Sequence, residues 1–312
     1  MTSYVLAIDL GKTSCRGSLR VDGGETRYAE GQGSPGLANA GGVAAAEHAI
    51  RIVIDQIAPT TPFVLSVGAA GAASAPEAAA VLAQHLAAVR TVSSVAAASV
   101  AVTSDAVTAH AGALGGSPGV VLAAGTGAVA TAVDATGRFT RVDGWGPLLG
   151  DEGSGGWIGS EGLRAVLRAH DGRAPRTALV DAVGELYGIT LGELPKYLGQ
   201  QDNPALIAAR FAPFVATAAA TDETAAAIMT AAGGALARTV LAAIDRSGIR
   251  PPVPYAITGG LLKLGAALLD PLDHSIAHAI DRRAPLGDPI DGAALLALDT
   301  TTALEALVAR IA

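Results

Sequence analysis

Residues 7–19, AIDLGKTSCRGSL, combine a glycine turn with charged and hydroxyl side chains that could bind phosphate. The letters GKT at 11–13 end a P-loop, a motif whose backbone amides wrap around phosphates. That motif needs a glycine five positions before Gly11, where this chain has Leu6, so the segment is not a Walker-type loop. Asp9 would repel phosphate oxygens unless a cation separates them. A phosphate-binding turn of another kind, in which Mg²⁺ reconciles Asp9 with the phosphates, remains compatible with the segment.

Residues 119–133, GVVLAAGTGAVATAV, repeat the layout of an apolar strand, a glycine turn and a second strand. Glycine turns present backbone N–H groups in a concave nest that accepts anionic oxygen. Two such turns, one in each half of the chain, could hold a polyphosphate from both sides. The letters GTGAVA at 125–130 also fit a loose dinucleotide fingerprint, which requires a helix after the glycines. Because residues 128–133 read as a strand, we reject the dinucleotide interpretation.

The segment SVAVTSDAVTAHAGALGG, residues 99–116, ends a strand and enters a helix near Asp105. An acid at this position commonly complements the helix dipole. It could also act as a general base, because ligands of open α/β sheets bind at the carboxyl ends of strands. The residues alone leave both interpretations open, and the dipole role is the commoner one.

The segment WGPLLGDEGSGGWIG, residues 145–159, holds six glycines, two tryptophans and the acid pair Asp151 and Glu152 before a predicted helix. Asp151 or Ser154 could simply cap that helix. A glycine-rich loop with a carboxylate and aromatic flanks also suits a polyol, because carboxylates accept hydrogen bonds from neighbouring hydroxyls.

Composition and charge exclude several other classes of protein. The chain of 312 residues is half hydrophobic and 16% charged, which supports two packed domains sharing a cleft or one large domain. Its net charge of −7 opposes a nucleic-acid partner. The single cysteine, Cys15, excludes an internal disulfide and a thiolate zinc site. No basic region precedes Asp9, and residues 111–133 are too rich in glycine for a good membrane helix. We therefore expect a cytoplasmic protein without a membrane partner.

Strands that alternate with helices predict an α/β protein. A third strand runs into Gly259 and Gly260. Apolar spacing and capping signals predict helices at 43–57, 75–90 (with Ser74 as a possible N-cap), 157–170, 222–247, 261–269 and 299–311. We place the domain boundary near residues 115–119. This gives an N-terminal domain at 1–116, a C-terminal domain at 117–298 and a last helix at 299–312 that could pack back on the first domain.

Together, these motifs resemble the actin-like (ASKHA) sugar kinases of the BadF/BadG/BcrA/BcrD ATPase family, in the N-acetylglucosamine kinase branch, and are most similar to actinobacterial glucosamine kinases. The first and second phosphate motifs are AIDLGKTSCRGSL and VVLAAGTGAVATAV, and the adenosine motif is AITGGLL. VTSDAVTAHAGAL matches the catalytic-aspartate segment, and GWGPLLGDEGSGGWIG matches the most specific signature of the branch. The resemblance implies a two-domain actin-like ATPase fold, with duplicated ribonuclease H-like domains and an interdomain cleft.

By position, the resemblance makes Asp105 the catalytic base that faces the sugar 6-hydroxyl, while Asp9 would order Mg²⁺ through water. It implies that three groups of residues bind ligands. The phosphates of ATP would be held by Gly11, Lys12, Thr13, Ser14, Gly125, Thr126 and Gly127, the adenosine would lie beside Gly259 and Gly260, and the hexosamine would contact Thr126, Gly144 and Asp151.

The resemblance predicts ATP-dependent phosphorylation of glucosamine at the 6-hydroxyl, giving glucosamine 6-phosphate and ADP. The family's sugar-binding asparagine has no evident counterpart in GQGSPGLAN, residues 31–39, which favours the unacetylated amine. Carboxylates among Asp143, Asp151 and Glu152 would then balance its ammonium.

Two alternatives stay open. One is an N-acetylglucosamine kinase or another hexose kinase of the same fold, and the other is a non-catalytic, sugar-responsive ATP-binding protein. The lone cysteine opposes those relatives that carry an iron–sulfur cluster or a Cys-rich zinc motif. A homodimer is also left open.

Overall fold

The computed structural model describes residues 4–21, 24–92 and 94–312. Its strands are β1 Tyr4–Leu10, β2 Ser14–Val21, β3 Arg27–Gln32, β4 Phe63–Ala69, β5 Ala97–Ser104, β6 Gly119–Ala124, β7 Ala128–Val133, β8 Phe139–Asp143, β9 Val253–Thr258, β10 Ile280–Arg282 and β11 Ala309–Ile311. Its α-helices are α1 Gly42–Ile57, α2 Pro76–Ala88, α3 Asp105–Leu114, α4 Gly155–His170, α5 Leu179–Tyr187, α6 Leu194–Gly199, α7 Pro204–Ala209, α8 Ala212–Ala218, α9 Glu223–Ser247, α10 Ala266–Ile276 and α11 Pro289–Leu298. The mixture of strands and helices confirms the α/β class.

The chain divides into two compact units. The first comprises Met1–Gly119, Val133–Phe139 and Ala284–Ala312, and the second comprises Val120–Ala132 and Thr140–Arg283. The predicted domain ranges, 1–116 and 117–298, remain predictions. Helix α11 belongs to the first of the two compact units.

The sheet of the first unit has the strand order β11-β5-β4-β1-β2-β3. β1 and β2 pair antiparallel, as do β2 and β3, whereas β1, β4 and β5 run parallel. Side chains alternate between the two faces of β1. Leu6 and Ile8 pack on one face with the cores of α1 and α2, and Val5 and Ala7 pack on the other face with α11.

The sheet of the second unit has the order β10-β9-β6-β7-β8, with β6, β9 and β10 parallel. In the first sheet, β1, β2 and β3 are neighbours and β1 also pairs with the parallel strand β4. In the second sheet, β6, β7 and β8 are neighbours and β6 also pairs with the parallel strand β9. The predicted duplication is therefore confirmed. Helix α9 is long and apolar enough to cross a membrane by length and composition, but 56% of its apolar window is buried. The core helix of a soluble protein passes the same test, so α9 is weak evidence for a span.

The predicted C-terminal helix at 299–311 is wrong. Asp299 accepts the backbone N–H of Thr301, a short 3-10 turn covers Glu305–Leu307, and β11 follows. β11 pairs antiparallel with β5, so it completes the open edge of the first sheet. Apolar residues at helical spacing suggested a helix, and a long-range pairing partner decided otherwise.

The other predicted helices occur, with shifted ends. Helix α2 begins at Pro76, but its N-cap is Ala75 rather than Ser74 and has no side-chain cap. The helix predicted at 261–269 is a 3-10 turn at Gly260–Leu264 followed by α10, which begins after Gly265. Ser154 is the N-cap of α4 and accepts the N–H of Trp157.

Candidate active site

The first phosphate motif forms the β1–β2 turn of the first unit. Gly11 N donates to the carbonyl oxygen of Ser14 at 2.9 Å, and Ser34 N donates to the carbonyl oxygen of Gly11 at 3.2 Å. Gly33 packs so closely on the turn that a Cβ there would lie 2.6 Å from Ser14 N. Lys12 and Thr13, at the tip, are exposed. Gly33 and Ser34 therefore hold the backbone of the turn, and the side chains of Lys12 and Thr13 remain accessible to a ligand.

Asp9 lies at the end of β1 and is paired with Arg16 of β2. The two residues are direct partners in the antiparallel ladder, so their side chains share one face of the sheet. Arg16 Nη2 lies 2.6 Å from Asp9 Oδ2, and Arg16 Nη1 lies 4.0 Å from Asp288 Oδ2, at the N-cap of α11. The side chain of Asp9 is 15% exposed. Arg16 thus fixes one oxygen of a partly buried carboxylate.

Asp105 is the first residue of α3, directly after β5. The preceding residue, Ser104, is the N-cap, and its hydroxyl accepts the N–H of Val107 at 3.2 Å. Asp105 Oδ1 accepts the N–H of Ala106 at 2.9 Å, and the Asp105 residue is half-buried. Because Ser104 caps the helix, the carboxylate of Asp105 is not needed for that role.

Asp9 and Asp105 belong to the same edge of the same sheet. Leu10, Ala69 and Ser104 are aligned across the parallel strands β1, β4 and β5. One strand therefore separates the two carboxylate-bearing segments, whose backbones lie about 10 Å apart at normal strand spacing. The carboxyl edge of parallel strands is where ligands bind in open α/β sheets.

Two glycines hold the helix of Asp105 against α11. A Cβ on Gly292 would overlap the carbonyl oxygen of Thr108, and a Cβ on Gly112 would overlap the carbonyl oxygen of Asp288. The backbones of α3 and α11 therefore touch directly. On the sheet side, a Cβ on Gly68 of β4 would lie 2.8 Å from Thr108 Cγ2. Close contact on both sides fixes the position of α3.

The second phosphate motif forms the β6–β7 turn of the second unit. Gly125 N donates to the carbonyl oxygen of Gly127 at 2.8 Å. The first amides of α4 bind this turn, since Gly155 N donates to the carbonyl of Gly125 at 2.8 Å and Gly156 N to that of Thr126 at 2.9 Å. Helix N-termini usually offer such amides to anions. Here they fix the carbonyl side of the turn instead, and Thr126 is exposed.

Asp151 joins the glycine-rich loop to the second turn. Its carboxylate accepts the backbone N–H groups of Ala128 and Gly146. It packs on Gly127, where a Cβ would lie 2.8 Å from Asp151 Oδ2. Gly144, at φ +71°, lies beside Val129 of β7. The predicted sugar residues Thr126, Gly144 and Asp151 therefore meet around the start of β7.

Burial, followed by the negative charge of Asp143, raises the pKa of Asp151, although its two amide donors act in the opposite direction. Asp143 has a structural role in the loop. Its Oδ1 accepts the N–H of Asp151 at 2.8 Å and its Oδ2 accepts the N–H of Glu152 at 3.1 Å. Glu152 is exposed and lies 3.6 Å from Arg238.

Gly259 and Gly260 follow β9, next to the second phosphate turn. Ala123 and Thr258 are register partners in β6 and β9, and a Cβ on Gly259 would overlap the carbonyl oxygen of Ala124. Gly259 also has φ +101°, a conformation that favours glycine. In contrast, a Cβ on Gly260 or Gly125 would meet nothing within 4 Å. The space beside these two glycines is open.

Comparison with known proteins identifies the family. The model of the BadF/BadG/BcrA/BcrD ATPase family matches residues 6–297. The chain belongs to the BadF/BadG/BcrA/BcrD ATPase family. No curated protein sequence matches it significantly.

Solved structures with the same fold include sugar kinases. A candidate N-acetylglucosamine kinase from Chromobacterium violaceum is 29% identical, with 95% of this chain and 99% of that chain covered and a TM-score of 0.70. A candidate N-acetylglucosamine kinase from Porphyromonas gingivalis is 20% identical over 92% and 96% of the two chains, with a TM-score of 0.63. A ROK family glucokinase from Streptomyces griseus, solved with glucose and AMPPNP, is 19% identical over 94% and 98%, with a TM-score of 0.54. The last two likenesses concern the fold alone.

Several residues that build the candidate site of this BadF/BadG/BcrA/BcrD family member were not predicted from the sequence. Arg16 is one, although the hairpin turn at Gly11 implies that Arg16 faces Asp9. Gly33 and the pair of Gly112 and Gly292 act through contacts with distant segments, for which the local sequence carries no signal.

Proposed function

We propose that this protein transfers the γ-phosphoryl group of ATP to the 6-hydroxyl of glucosamine, giving glucosamine 6-phosphate and ADP. The observation that carries the proposal is the position of Asp9 and Asp105 at one carboxyl edge of one parallel sheet. A proton acceptor and a carboxylate for Mg²⁺ are the two acidic groups that a sugar kinase requires.

In this reaction, the oxygen of the sugar 6-hydroxyl attacks the γ-phosphorus, and Asp105 accepts the proton of that hydroxyl. The new oxygen–phosphorus bond forms, the bond from the γ-phosphorus to the β,γ-bridging oxygen breaks, and ADP leaves. The transition state of phosphoryl transfer is loose, so positioning and charge neutralisation carry most of the catalysis. A general base typically contributes ~10²–10⁴-fold.

The residues present can hold a Mg²⁺ ion that binds together with ATP. The described residues hold no cluster of three or more His, Cys, Asp or Glu side chains that could bind a metal ion. Mg²⁺ usually keeps several waters and binds one or two carboxylates plus substrate phosphates, so a single carboxylate is sufficient. We assign Asp9 to this role through a water molecule, with Arg16 orienting its carboxylate. When bound, the ion neutralises charge on the phosphate oxygens.

The phosphates and the nucleoside are assigned to backbone turns. Gly11, Lys12, Thr13 and Ser14 of the first unit and Gly125, Thr126 and Gly127 of the second are proposed to bind phosphate. Gly259 and Gly260 are proposed to lie beside the adenosine. The open space next to Gly125 and Gly260 supports these assignments.

Three carboxylates near the proposed sugar residues differ in their freedom to bind an ammonium. Asp143 and Asp151 each accept two backbone amides, whereas the carboxylate of Glu152 is exposed and lies 3.6 Å from Arg238. This makes Glu152 the first of the three proposed partners of the glucosamine ammonium. An N-acetylglucosamine kinase is the alternative, favoured by the 29% identity to the Chromobacterium violaceum protein.

Steady-state ADP release with glucosamine, N-acetylglucosamine and glucose tests the proposal. We expect the highest kcat/KM for glucosamine, and a larger loss for glucosamine than for glucose in Glu152→Gln. A higher kcat/KM for N-acetylglucosamine would replace the proposed substrate. ATP binding without sugar-dependent ADP release would favour the non-catalytic alternative.

A further inference from the structure

Lys263 stands on an exposed side of the turn that follows β9. It belongs to the 3-10 turn Gly260–Leu264, in which residues three apart lie above one another. Lys263 therefore lies on the same side as Gly260, beside open space. Leu261 of the same turn is buried in the core of the second unit. The turn thus has a packed side and a free side, and Lys263 is on the free one.

The same free side adjoins the second phosphate turn. Thr258 and Ala123 are register partners, so the ends of β9 and β6 are neighbours about 5 Å apart. Neither Gly125 nor Gly260 has an atom within 4 Å of the place where a Cβ would stand. A ligand that contacts both backbone turns would come close to the stem of Lys263.

Within residues 4–21, 24–92 and 94–312, no acidic side chain lies within 4 Å of the ammonium of Lys263. Several arginines of the second unit are in ion pairs, among them Arg173, Arg282 and Arg283. The chain has only three lysines, Lys12, Lys196 and Lys263, and two of them fall in turns proposed to bind ATP. Lysine offers a compact charge with three donors that suits phosphate oxygens.

We propose that the ammonium of Lys263 binds the phosphate chain of ATP. The inference rests on the proposed function, since it assumes that ATP binds at these turns. It adds a side-chain cation to a phosphate site otherwise built from backbone amides on the second unit.

Labelling with an acyl-phosphate derivative of ATP, which acylates nearby lysines, can be read residue by residue because there are three lysines. We expect acylation of Lys263 that excess ATP suppresses. Lys196 on α6, also exposed and in the second unit, should show no suppression. Labelling of Lys263 no greater than that of Lys196 would overturn the inference.

Calorimetric titrations of variants provide the second measurement. In Lys263→Gln we expect the Kd of ATP to rise about tenfold and that of adenosine to stay constant, because only the phosphates lose a charge-assisted contact. Lys263→Arg should recover part of the affinity, and Lys196→Gln should match the wild type. If the wild type binds ATP and Lys263→Gln binds it with the same Kd, the inference about Lys263 is contradicted and the proposed function is not. A wild type that binds no ATP overturns both this inference and the proposed function.

Discussion

Asp9 and Arg16 face each other across β1 and β2, and their side chains form an ion pair of 2.6 Å at the end of the first strand. The arrangement leaves Asp9 Oδ1 without a bond to Arg16, so the carboxylate can still accept a hydrogen bond from a metal-bound water. The pair therefore orients an acid for binding rather than neutralising it completely.

If Asp9 orders Mg²⁺, Asp9→Asn should raise the Mg²⁺ concentration needed for half-maximal ADP release by about 10–100-fold, the usual effect of losing an outer-shell partner. Magnesium titrations of the kinase reaction measure this. Asp55→Asn is the matched control, because Asp55 is an exposed acid on α1, away from β1 and β2. Equal magnesium requirements in both variants would remove Asp9 from this role.

Asp105→Asn should lower kcat by at least ~10²-fold, because the amide cannot accept the proton of the hydroxyl. Ser104 caps α3, so the far-ultraviolet circular dichroism spectrum and the Kd of ATP should remain those of the wild type. Asp55→Asn, a change of an exposed acid on α1, should leave kcat unchanged. A kcat within a few-fold of wild type in Asp105→Asn would contradict the base assignment.

Substitutions of three glycines in the second unit distinguish effects on stability from effects on ATP binding. Gly125→Ala and Gly260→Ala add a methyl group in open space, so the melting temperature should hold while the Kd of ATP rises about tenfold. Gly259→Ala should lower the free energy of unfolding by about 1–3 kcal/mol, because it meets Ala124 and its φ is +101°. Wild-type ATP affinity in both open-space variants would argue against nucleotide at these turns.

The contact between α3 and α11 predicts a large effect of one methyl group. Gly292→Ala should lower the free energy of unfolding by about 1–3 kcal/mol, since the added atom overlaps the carbonyl of Thr108. Gly234→Ala on α9 is the control, because its Cβ would meet only the flexible end of Arg238, at 3.8 Å. There we expect stabilisation of about 0.5–1 kcal/mol from helix propensity. Urea unfolding compares the two, and equal stabilities would disprove the close contact.

His110 predicts how stability depends on pH. It is buried, its Nε2 lies 3.2 Å from the carbonyl oxygen of Ser117, and burial lowers its pKa to about 4. Between its ordinary pKa of 6.5 and about 4, the unfolded chain binds more protons than the folded one. The free energy of unfolding should therefore fall as pH falls through this window, by up to ~3 kcal/mol. Urea unfolding at several pH values should show a smaller slope in His110→Gln than in the wild type.

The control for this measurement is His48→Gln, because His48 is exposed on α1. It should keep the slope of the wild type between pH 4 and 6.5. A wild-type slope in His110→Gln would mean that other groups cause the pH dependence.

The sequence correctly predicted those elements whose formation depends on residues that are close together in the chain. The hairpin at Gly11, the strand before Gly125, the cap at Ser154 and the helix after Asp105 follow from turn chemistry and apolar spacing. The short helices at 179–218 were not predicted. The roles of residues at the proposed site remain predictions, and the structure adds to them the contacts of Arg16 and Asp143.

Long-range contacts explain what the sequence pattern missed. β11 is a strand only because β5 offers it an unpaired edge. The need for glycine at 112 and 292 appears only when α3 and α11 cross, since neither glycine has an unusual local sequence. Such positions require the folded chain, because the interaction that selects the residue lies far away along it.

The first unit takes α11 and β11 from the end of the chain, whereas the second unit comes from one nearly continuous stretch. During synthesis on a ribosome, the second unit can therefore finish folding while the first still lacks its outer strand and the helix that supports α3. The unit that begins first is completed last, and until then the edge of β5 is exposed to pairing with other nascent chains.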